Sequence, residues 1–229
     1  MRGLRYTDAR SVSFYRKFHS KLIAHPLDGA IFCVRRNVLT EADVESETTW
    51  IEQTQRGNPS AFGRLYEMYA ERVYRYLVFR TQDAHVAEDL SAETFIKAFQ
   101  NIRRYRIGRA PFGAWLFRIA HNVLIDHWRA ATRRQTVAWE DMALVANGAA
   151  ARDIAQVFTR AELAWGVAQL TDLQQQVIAL RFSGECSIAE TAQALGRSEE
   201  AIKDAQHKAL AALRKHLAVG NLHGSKQTE

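Results

Sequence analysis

The sequence predicts an all-α protein, two helical domains joined by a flexible linker. Three observations carry this. Apolar residues recur at three- and four-residue spacing over successive segments between Thr40 and Ala131 and again beyond residue 156. Two capping boxes, Thr171 to Gln174 and Ser187 to Glu190, open helices in the C-terminal half. No segment alternates apolar and polar residues as a half-buried strand does. With 229 residues, 47% of them hydrophobic and 24% charged, the chain is long enough for two cores and has the composition of a soluble globular protein.

Residues 1–40 show no clean period and contain Pro26, Asp28 and Gly29, so they are left as an unassigned extension or as sequence upstream of a mis-assigned start. The first domain is expected over residues 41–134. It opens with an acidic helix, Thr40 to Arg56, which Gly57-Asn58-Pro59-Ser60 interrupts; Ser60 is the expected N-cap of the next helix. That helix runs to about Arg80, with Leu65, Met68, Tyr69, Val73, Tyr76 and Leu77 on one stripe. A third helix, Ala84 to Ile102, buries Val86, Leu90, Phe95, Ala98 and Phe99. Residues 103–110 form a loop around Gly108, and Pro111 suits the first turn of a helix reaching about Ala131.

Residues 135–158 are Ala-rich, hold Asn147 and Gly148, and lack the large apolar side chains a core needs, so they read as the linker. The second domain, 159–218, begins with a helix ending near Gln169. The Thr171 box then starts a helix to about Phe182, and the Ser187 box starts a short helix to Leu195. Gly196 fits the left-handed residue that ends it. Ser198 caps the last helix, to about Leu217, with Glu199 and Glu200 in its first turn, where the helix dipole favours acids. Residues 219–229 are a tail.

The formal charge of +6 is unevenly spread. Residues 1–40 carry eight Lys/Arg against two acids, residues 41–100 six against eleven, and residues 101–134 eight against one. A basic block beside an acidic one suggests two partners, one polyanionic and one not. Cys33 and Cys186 are far apart and outside any metal or redox motif, which fits a reducing cytoplasm. No run of about 18 apolar residues predicts a membrane span, and Leu22–Ala24 and Ala30–Val34 are too short and interrupted for a signal peptide.

The basic block is the densest chemical signal. Arg103, Arg104, Arg106, Arg109, Arg118, Arg129, Arg133 and Arg134 face a single acid, Asp126, and Tyr105, Phe112, Trp115, Phe117 and Trp128 are threaded between them. Arginine with interleaved aromatics holds a nucleic-acid backbone and stacks on unpaired bases. Tyr105, Arg106 and Arg109 lie in a short loop where a flipped base could be held, and Arg118, Asn122, Arg129 and Arg133 follow on the helix. For Trp115 taken alone, packing is the expected role. Asp126 and Arg129 are expected to pair along the helix. Just upstream, Asp89 and Glu93 share a helical face that DNA would reject and a basic protein would accept.

Ser187 to Lys215 reads as helix, three-residue turn, helix, the spacing of a helix-turn-helix. Ile202, Ala205, Ala209, Leu210 and Leu213 form the inner face of the second helix. Its outer face presents Glu200, Lys203, Asp204, His207 and Lys208, and Arg197 in the turn reaches toward a phosphate.

These residues resemble the sigma-70 family of bacterial transcription initiation factors, in particular the small extracytoplasmic-function group. The resemblance rests on Ala87-Glu-Asp-Leu-Ser-Ala-Glu-Thr-Phe95, on Trp115-Leu-Phe-Arg-Ile-Ala-His-Asn122 followed by Asp126 and Arg129, and on Leu170 to Leu213. It implies that Asp89 and Glu93, with Leu90 and Phe95, contact core RNA polymerase. It implies that Tyr105, Arg106 and Arg109 form a specificity loop for the −10 element, and that Trp115, Arg118, Asn122, Arg129 and Arg133 lie along the melted strand. It implies that Arg197, Glu200, Lys203, Asp204, His207 and Lys208 face the −35 element. The partners it implies are core RNA polymerase, promoter DNA and, by family analogy alone, an anti-sigma factor held at the membrane. The chain departs from the family at Ala92, where Gln is usual, at Ala205, where Arg is common, and at Asp204, where Ser is common; residues 1–40 match nothing in it.

No metal cluster, nucleophile triad or phosphate-binding glycine loop is legible, and His121 and His127 are six apart and do not share a helical face. The expectation is therefore a cytoplasmic sigma factor without catalytic residues or cofactor. Two rival readings are a stand-alone DNA-binding regulator, which needs neither the Asp89/Glu93 face nor the 105–109 loop, and a degenerate member that only sequesters a partner.

Overall fold

The computed structural model describes residues 41–137 and 160–224. The extension 1–40, most of the expected linker and the last residues of the tail lie outside the described residues. Among the described residues eight α-helices follow one another: α1 (Glu41–Gln55), α2 (Pro59–Thr81), α3 (Ala84–Asn101), α4 (Phe112–Val137), α5 (Arg160–Ala168), α6 (Asp172–Ile178), α7 (Ile188–Leu195) and α8 (Glu199–Gly224). A 3₁₀ turn, Ile102–Arg104, ends α3, and a π turn, Ala179–Ser183, continues α6. No strand occurs among the described residues.

The helix starts follow side-chain chemistry. Asn58, not Ser60, caps α2: its Oδ1 accepts from the Ser60 N–H at 3.0 Å, and Pro59 takes the first helical position. Proline's fixed φ and missing N–H suit that position, which places the cap one residue before Pro59. Asp83 caps α3 by accepting from the N–H groups of His85 and Val86 at 2.9 and 3.1 Å. Pro111 stands immediately before α4, whose first turn closes with the Trp115 N–H on the Pro111 carbonyl at 3.2 Å. That helix runs past Ala131 to Val137, so its last turn extends into the first residues of the expected linker.

Both capping boxes form. Thr171 pairs reciprocally with Gln174, and Ser187 with Glu190. Gly196 adopts φ +64° at the end of α7, where a side chain would strain the backbone, and Ser198 Oγ accepts from the Ala201 N–H at 3.2 Å. The helix expected to reach Phe182 changes its bonding instead. From Ala179 the Gly184 N–H donates back five residues at 2.9 Å, and the Cys186 N–H reaches the Leu180 carbonyl at 2.9 Å. Such π turns are rare and occur mostly as single turns within helices.

Packing is built on α2. Phe62, Leu65, Tyr69, Val73, Tyr76 and Leu77 are buried along it and meet Leu90, Phe95 and Ala98 of α3 and Phe112, Leu116 and Phe117 of α4. Edge-on ring contacts join Phe62 to Phe95 and Phe99, and Tyr76 to Phe117. Each fully buried Leu or Phe contributes on the order of 1.5–3 kcal/mol. Two further clusters serve the C-terminal helices. Val177, Ala192, Ile202 and Ala205 form one. Leu170, Ile178, Ala209 and Leu213 form the other, and Phe79 of α2 packs against it. Helix α7 packs on α4, and the π turn packs on α2.

A buried acid sits among these helices. Glu47 of α1 accepts from the Tyr69 hydroxyl at 2.5 Å. Burial raises its carboxyl pKa above the ordinary 4.5 and Glu190 adds to the rise, against the Tyr69 hydrogen bond and the Arg72 charge. A carboxyl raised in the folded state holds its proton more tightly there. Its contribution is present below the ordinary carboxylate range and is lost as pH rises through the folded pKa. Glu47→Gln keeps an oxygen for Tyr69 and removes the buried charge. Thermal melts are expected to show the variant gaining on the wild type as pH rises above the ordinary carboxylate range; a constant difference between the two proteins would refute this.

Candidate nucleic-acid interface

The loop between α3 and α4 is held from below. Gln55 of α1 donates its side-chain amide to the carbonyls of Ile102 and Tyr105 at 2.9 and 2.8 Å. Tyr105 is only 8% exposed; its hydroxyl donates to the Ala110 carbonyl at 2.6 Å, and its ring lies against Phe112 and Trp115 at 5.5 and 5.2 Å. Burial pushes its pKa up to about 12, with Glu47 adding to the rise, so it remains a neutral donor. The expectation from sequence is that Tyr105 stacks on a base; in this structure its ring docks the loop on the first turn of α4. Around it Arg103, Arg104, Arg106 and Arg109 are exposed, as is Ile107 at 41%.

The stripe on α4 continues from this loop. Arg118, Asn122, Arg129 and Arg133 are all exposed. At about 100° per residue they fall within roughly 60° of one another, along about 22 Å of helix. Trp115 is half-buried at the edge of the stripe, packed on Tyr105 and Phe112. Asp126 pairs with Arg129 at 3.7 Å, as the i, i+3 spacing predicts. Phe112 and Phe117 lie wholly in the core, and Arg80 lies over the Trp128 ring at 4.8 Å. The inward face of α4 also carries His121, whose Nδ1 meets the Tyr76 hydroxyl at 3.2 Å and whose pKa is lowered by burial and by Arg80. The helix therefore divides into a packed face and a cationic one.

The acidic face lies on α3. Asp89 and Glu93 are exposed, and Glu93 pairs with Lys97 at 2.8 Å. Leu90 and Phe95, expected beside them at the polymerase contact, are each only 4% exposed and pack beneath that face. Helical spacing turns them about 100–120° away from Asp89, one to each side, and toward the core. The half-buried residues on the acidic side are Ala92 and Ile96, which share the face of Asp89 and Glu93. Sequence reasoning passed over Ile96, Gln55 and Ile107. The i+3 spacing from Glu93 could have found the first; nothing local marks Gln55, whose role depends on a segment about fifty residues away.

On α8 the outward residues Glu200, Lys203, Asp204, His207 and Lys208 are exposed, with Arg197 exposed in the preceding turn. Lys208 and Asp204 pair at 2.9 Å. Ala205 is 6% exposed and packs with Val177, Ala192 and Ile202, so it is a core position. The helix is fixed to the π turn by Arg181, whose Nε donates to Gln206 Oε1 at 2.8 Å and whose Nη1 donates to the Cys186 carbonyl. The arrangement is a helix-turn-helix whose second helix offers an open polar face of mixed charge to a groove.

Residues 65–134 match the family model for Sigma-70 region 2, and residues 166–215 match that for Sigma-70, region 4. The ECF RNA polymerase sigma factor BldN of Streptomyces coelicolor is 35% identical over 78% of this chain and 68% of its own length. The ECF RNA polymerase sigma factor SigX of Bacillus subtilis is 34% identical over 68% of this chain and 83% of its own length. The chain belongs to the extracytoplasmic-function sigma factors of the sigma-70 family. It is a sigma factor, and its function is in transcription initiation. Its fold is also that of the sigma factor RpoE from Bartonella quintana, solved with the anti-sigma factor NepR (TM-score 0.59, 20% identity, covering 69% of this chain and 97% of that one). CnrH, solved with the cytosolic domain of CnrY, is similar as well (TM-score 0.54, 24% identity, 76% and 98%). No described helix of the sigma factor is long and apolar enough to cross a membrane.

Proposed function

We propose that this sigma factor binds core RNA polymerase through Asp89, Glu93 and the apolar strip Ala92/Ile96, and engages the −10 element through the loop 103–109 and the stripe Arg118, Asn122, Arg129 and Arg133. The −35 element is met by Arg197, Glu200, Lys203, Asp204, His207 and Lys208. The observation that carries this reading is the pairing of opposite surfaces on one bundle. An acidic, partly apolar face on α3 suits a basic protein, and a cationic stripe led by a rigid arginine loop suits a melted strand. A stand-alone duplex binder has use for the helix-turn-helix and for neither of these. On this reading the working domains are 41–134 and 159–218, the protein acts in the cytoplasm without catalysing a reaction, and an anti-sigma factor is a third partner, as the names of the solved relatives suggest.

Purified full-length chain added to core RNA polymerase is expected to start transcription on promoters that core alone ignores, with start sites clustering downstream of a shared pair of sequence elements. The measurement is run-off transcription across a genomic promoter library. No new start site in the presence of a stable complex with core would overturn the promoter assignment, and no complex with core would overturn the polymerase assignment.

A further inference from the structure

The loop that leads the cationic stripe is shaped by bonds within the free chain. Gln55 Nε2 carries two N–H groups, and the loop takes both: the Ile102 carbonyl accepts one at 2.9 Å and the Tyr105 carbonyl the other at 2.8 Å. The Ile102 carbonyl also accepts the Tyr105 N–H at 3.1 Å, so one amide brackets the whole 3₁₀ turn. Tyr105 leaves that turn in extended backbone, at φ −69° and ψ 131°. The Arg109 N–H then returns to the Arg106 carbonyl at 3.2 Å, with Gly108 at φ +84° in the third position, the pattern of a type II turn. A Cβ on Gly108 would meet nothing within 4 Å, so the glycine serves the backbone angle and not the space. The Tyr105 hydroxyl closes the far end on the Ala110 carbonyl. Ile107, 41% exposed, stands in this turn between the exposed Arg106 and Arg109.

The bracketing amide is itself anchored. Glu47, Ile51 and Gln55 recur every four residues along one face of α1. Glu47 meets Tyr69 of α2, Ile51 is 2% exposed in the core, and Gln55 at the end of the helix reaches the loop. Helix α1 packs on both α2 and the 3₁₀ turn. It precedes the segment 65–134 that matches Sigma-70 region 2, so an element outside the matched segment holds the loop inside it.

Holding a strand and choosing a base make different demands. An arginine on a flexible stem reaches a phosphate from many backbone positions, and that contact carries no sequence information. One base is told from another only by groups held to about half an ångström. A loosened loop would still attract the strand, but it would accept more than one base.

We propose that Gln55 is a positioning residue for base choice: by holding the Ile102 and Tyr105 carbonyls it presents Arg106, Ile107 and Arg109 in one geometry, and so sets which unpaired base the loop accepts and not how strongly the loop attracts the backbone. The choice of base rests on the −10 role proposed above; the held loop does not. The test uses the full-length chain with core RNA polymerase on promoters randomised through the −10 element. Selectivity is the ratio of kcat/KM for the preferred sequence to that for its single-base substitutions. Gln55→Met keeps the side-chain length and removes both donors, and Gln55→Asn keeps the amide one methylene short. Each is expected to lower the ratio on the order of tenfold, as the loss of such hydrogen bonds implies, with the salt slope for single-stranded DNA unchanged. Gln55→Lys, which returns N–H donors on a longer stem, is expected to hold the ratio near that of the wild type. In the free chain, hydrogen exchange at the Arg109 amide should quicken by a similar factor in the Met and Asn variants while circular dichroism stays helical. A folded Gln55→Asn protein with the wild-type ratio, or one that loses ratio and salt slope together, would overturn the positioning role alone. A wild type with no −10 preference at all would overturn the −10 role itself.

Discussion

Asp89→Arg is expected to abolish association with core RNA polymerase while leaving the helical circular dichroism and melting temperature of the free chain unchanged. Asp89 is exposed, and no salt bridge among the described residues ties it to the bundle, so its replacement removes no packing. The substitution puts a like charge against a basic partner, and like-charge juxtaposition across an interface costs several kcal/mol, a loss of two or more decades in affinity. Two residues of the same motif should behave in the opposite way. Leu90 and Phe95 are almost wholly buried. Leu90→Ala is expected to cost about 2–5 kcal/mol of stability and Phe95→Ala about 3–5 kcal/mol, by lost transfer energy and the cavity left behind. At a temperature where those variants remain folded, their affinity for core should stay near that of the wild type. A folded Leu90→Ala protein that no longer binds core would return that residue to the interface, and an Asp89→Arg protein that still binds would remove the acidic face from it.

The second large effect is expected in the loop, and it separates holding from contacting. Arg106 and Arg109 are exposed and Tyr105 is buried. Arg106→Ala with Arg109→Ala should leave thermal stability nearly unchanged. It should weaken binding to single-stranded DNA and lower the slope of log affinity against log salt by about 0.7 for each phosphate that is no longer neutralised. Tyr105→Phe removes the donor to the Ala110 carbonyl and should cost about 1 kcal/mol of stability with an unchanged salt slope. Tyr105→Ala should do both kinds of damage, because without the ring the arginines lose their seat on α4. Fluorescence anisotropy with a labelled oligonucleotide over a salt series, beside thermal melts, distinguishes these. A Tyr105→Phe protein with altered slope and unaltered stability would mean that the ring meets DNA after all.

Local chemistry announces itself in this sequence, and contacts between distant segments do not. The Thr171 and Ser187 boxes, the Gly196 turn and the Asp126–Arg129 pair depend on neighbours at most four residues away, and each forms as the spacing predicts. The Arg118/Asn122/Arg129/Arg133 stripe follows from helical geometry alone. Tyr105 misled because a loop aromatic beside arginines has the same local pattern whether it points out or in. What turns it inward is Gln55 below and Phe112 beside it. Leu90 and Phe95 carried two readings from one pattern, an apolar stripe and a family motif, and the structure shows the first: both are buried. The contacts of Arg72 with Gly184, Arg75 with Glu185 and Arg80 with Gln175 had no local signal, since the partners lie about 95 to 112 residues apart in the chain.

The Lys208–Asp204 pair on α8 has a consequence for how the reading helix responds to its solvent. On the promoter reading proposed above, Lys208 reaches a phosphate by exchanging a solvent-exposed carboxylate four residues back, a pair worth about 0.2–0.5 kcal/mol. Added electrolyte weakens the phosphate contact, but it also weakens the internal pair that competes with it, and the two effects partly cancel. The helix thus carries its own counterion. Its grip on duplex DNA should therefore depend less steeply on ionic strength than its cations alone imply, while the carboxylate released on binding remains close to the groove as a repulsive probe against any phosphate out of register.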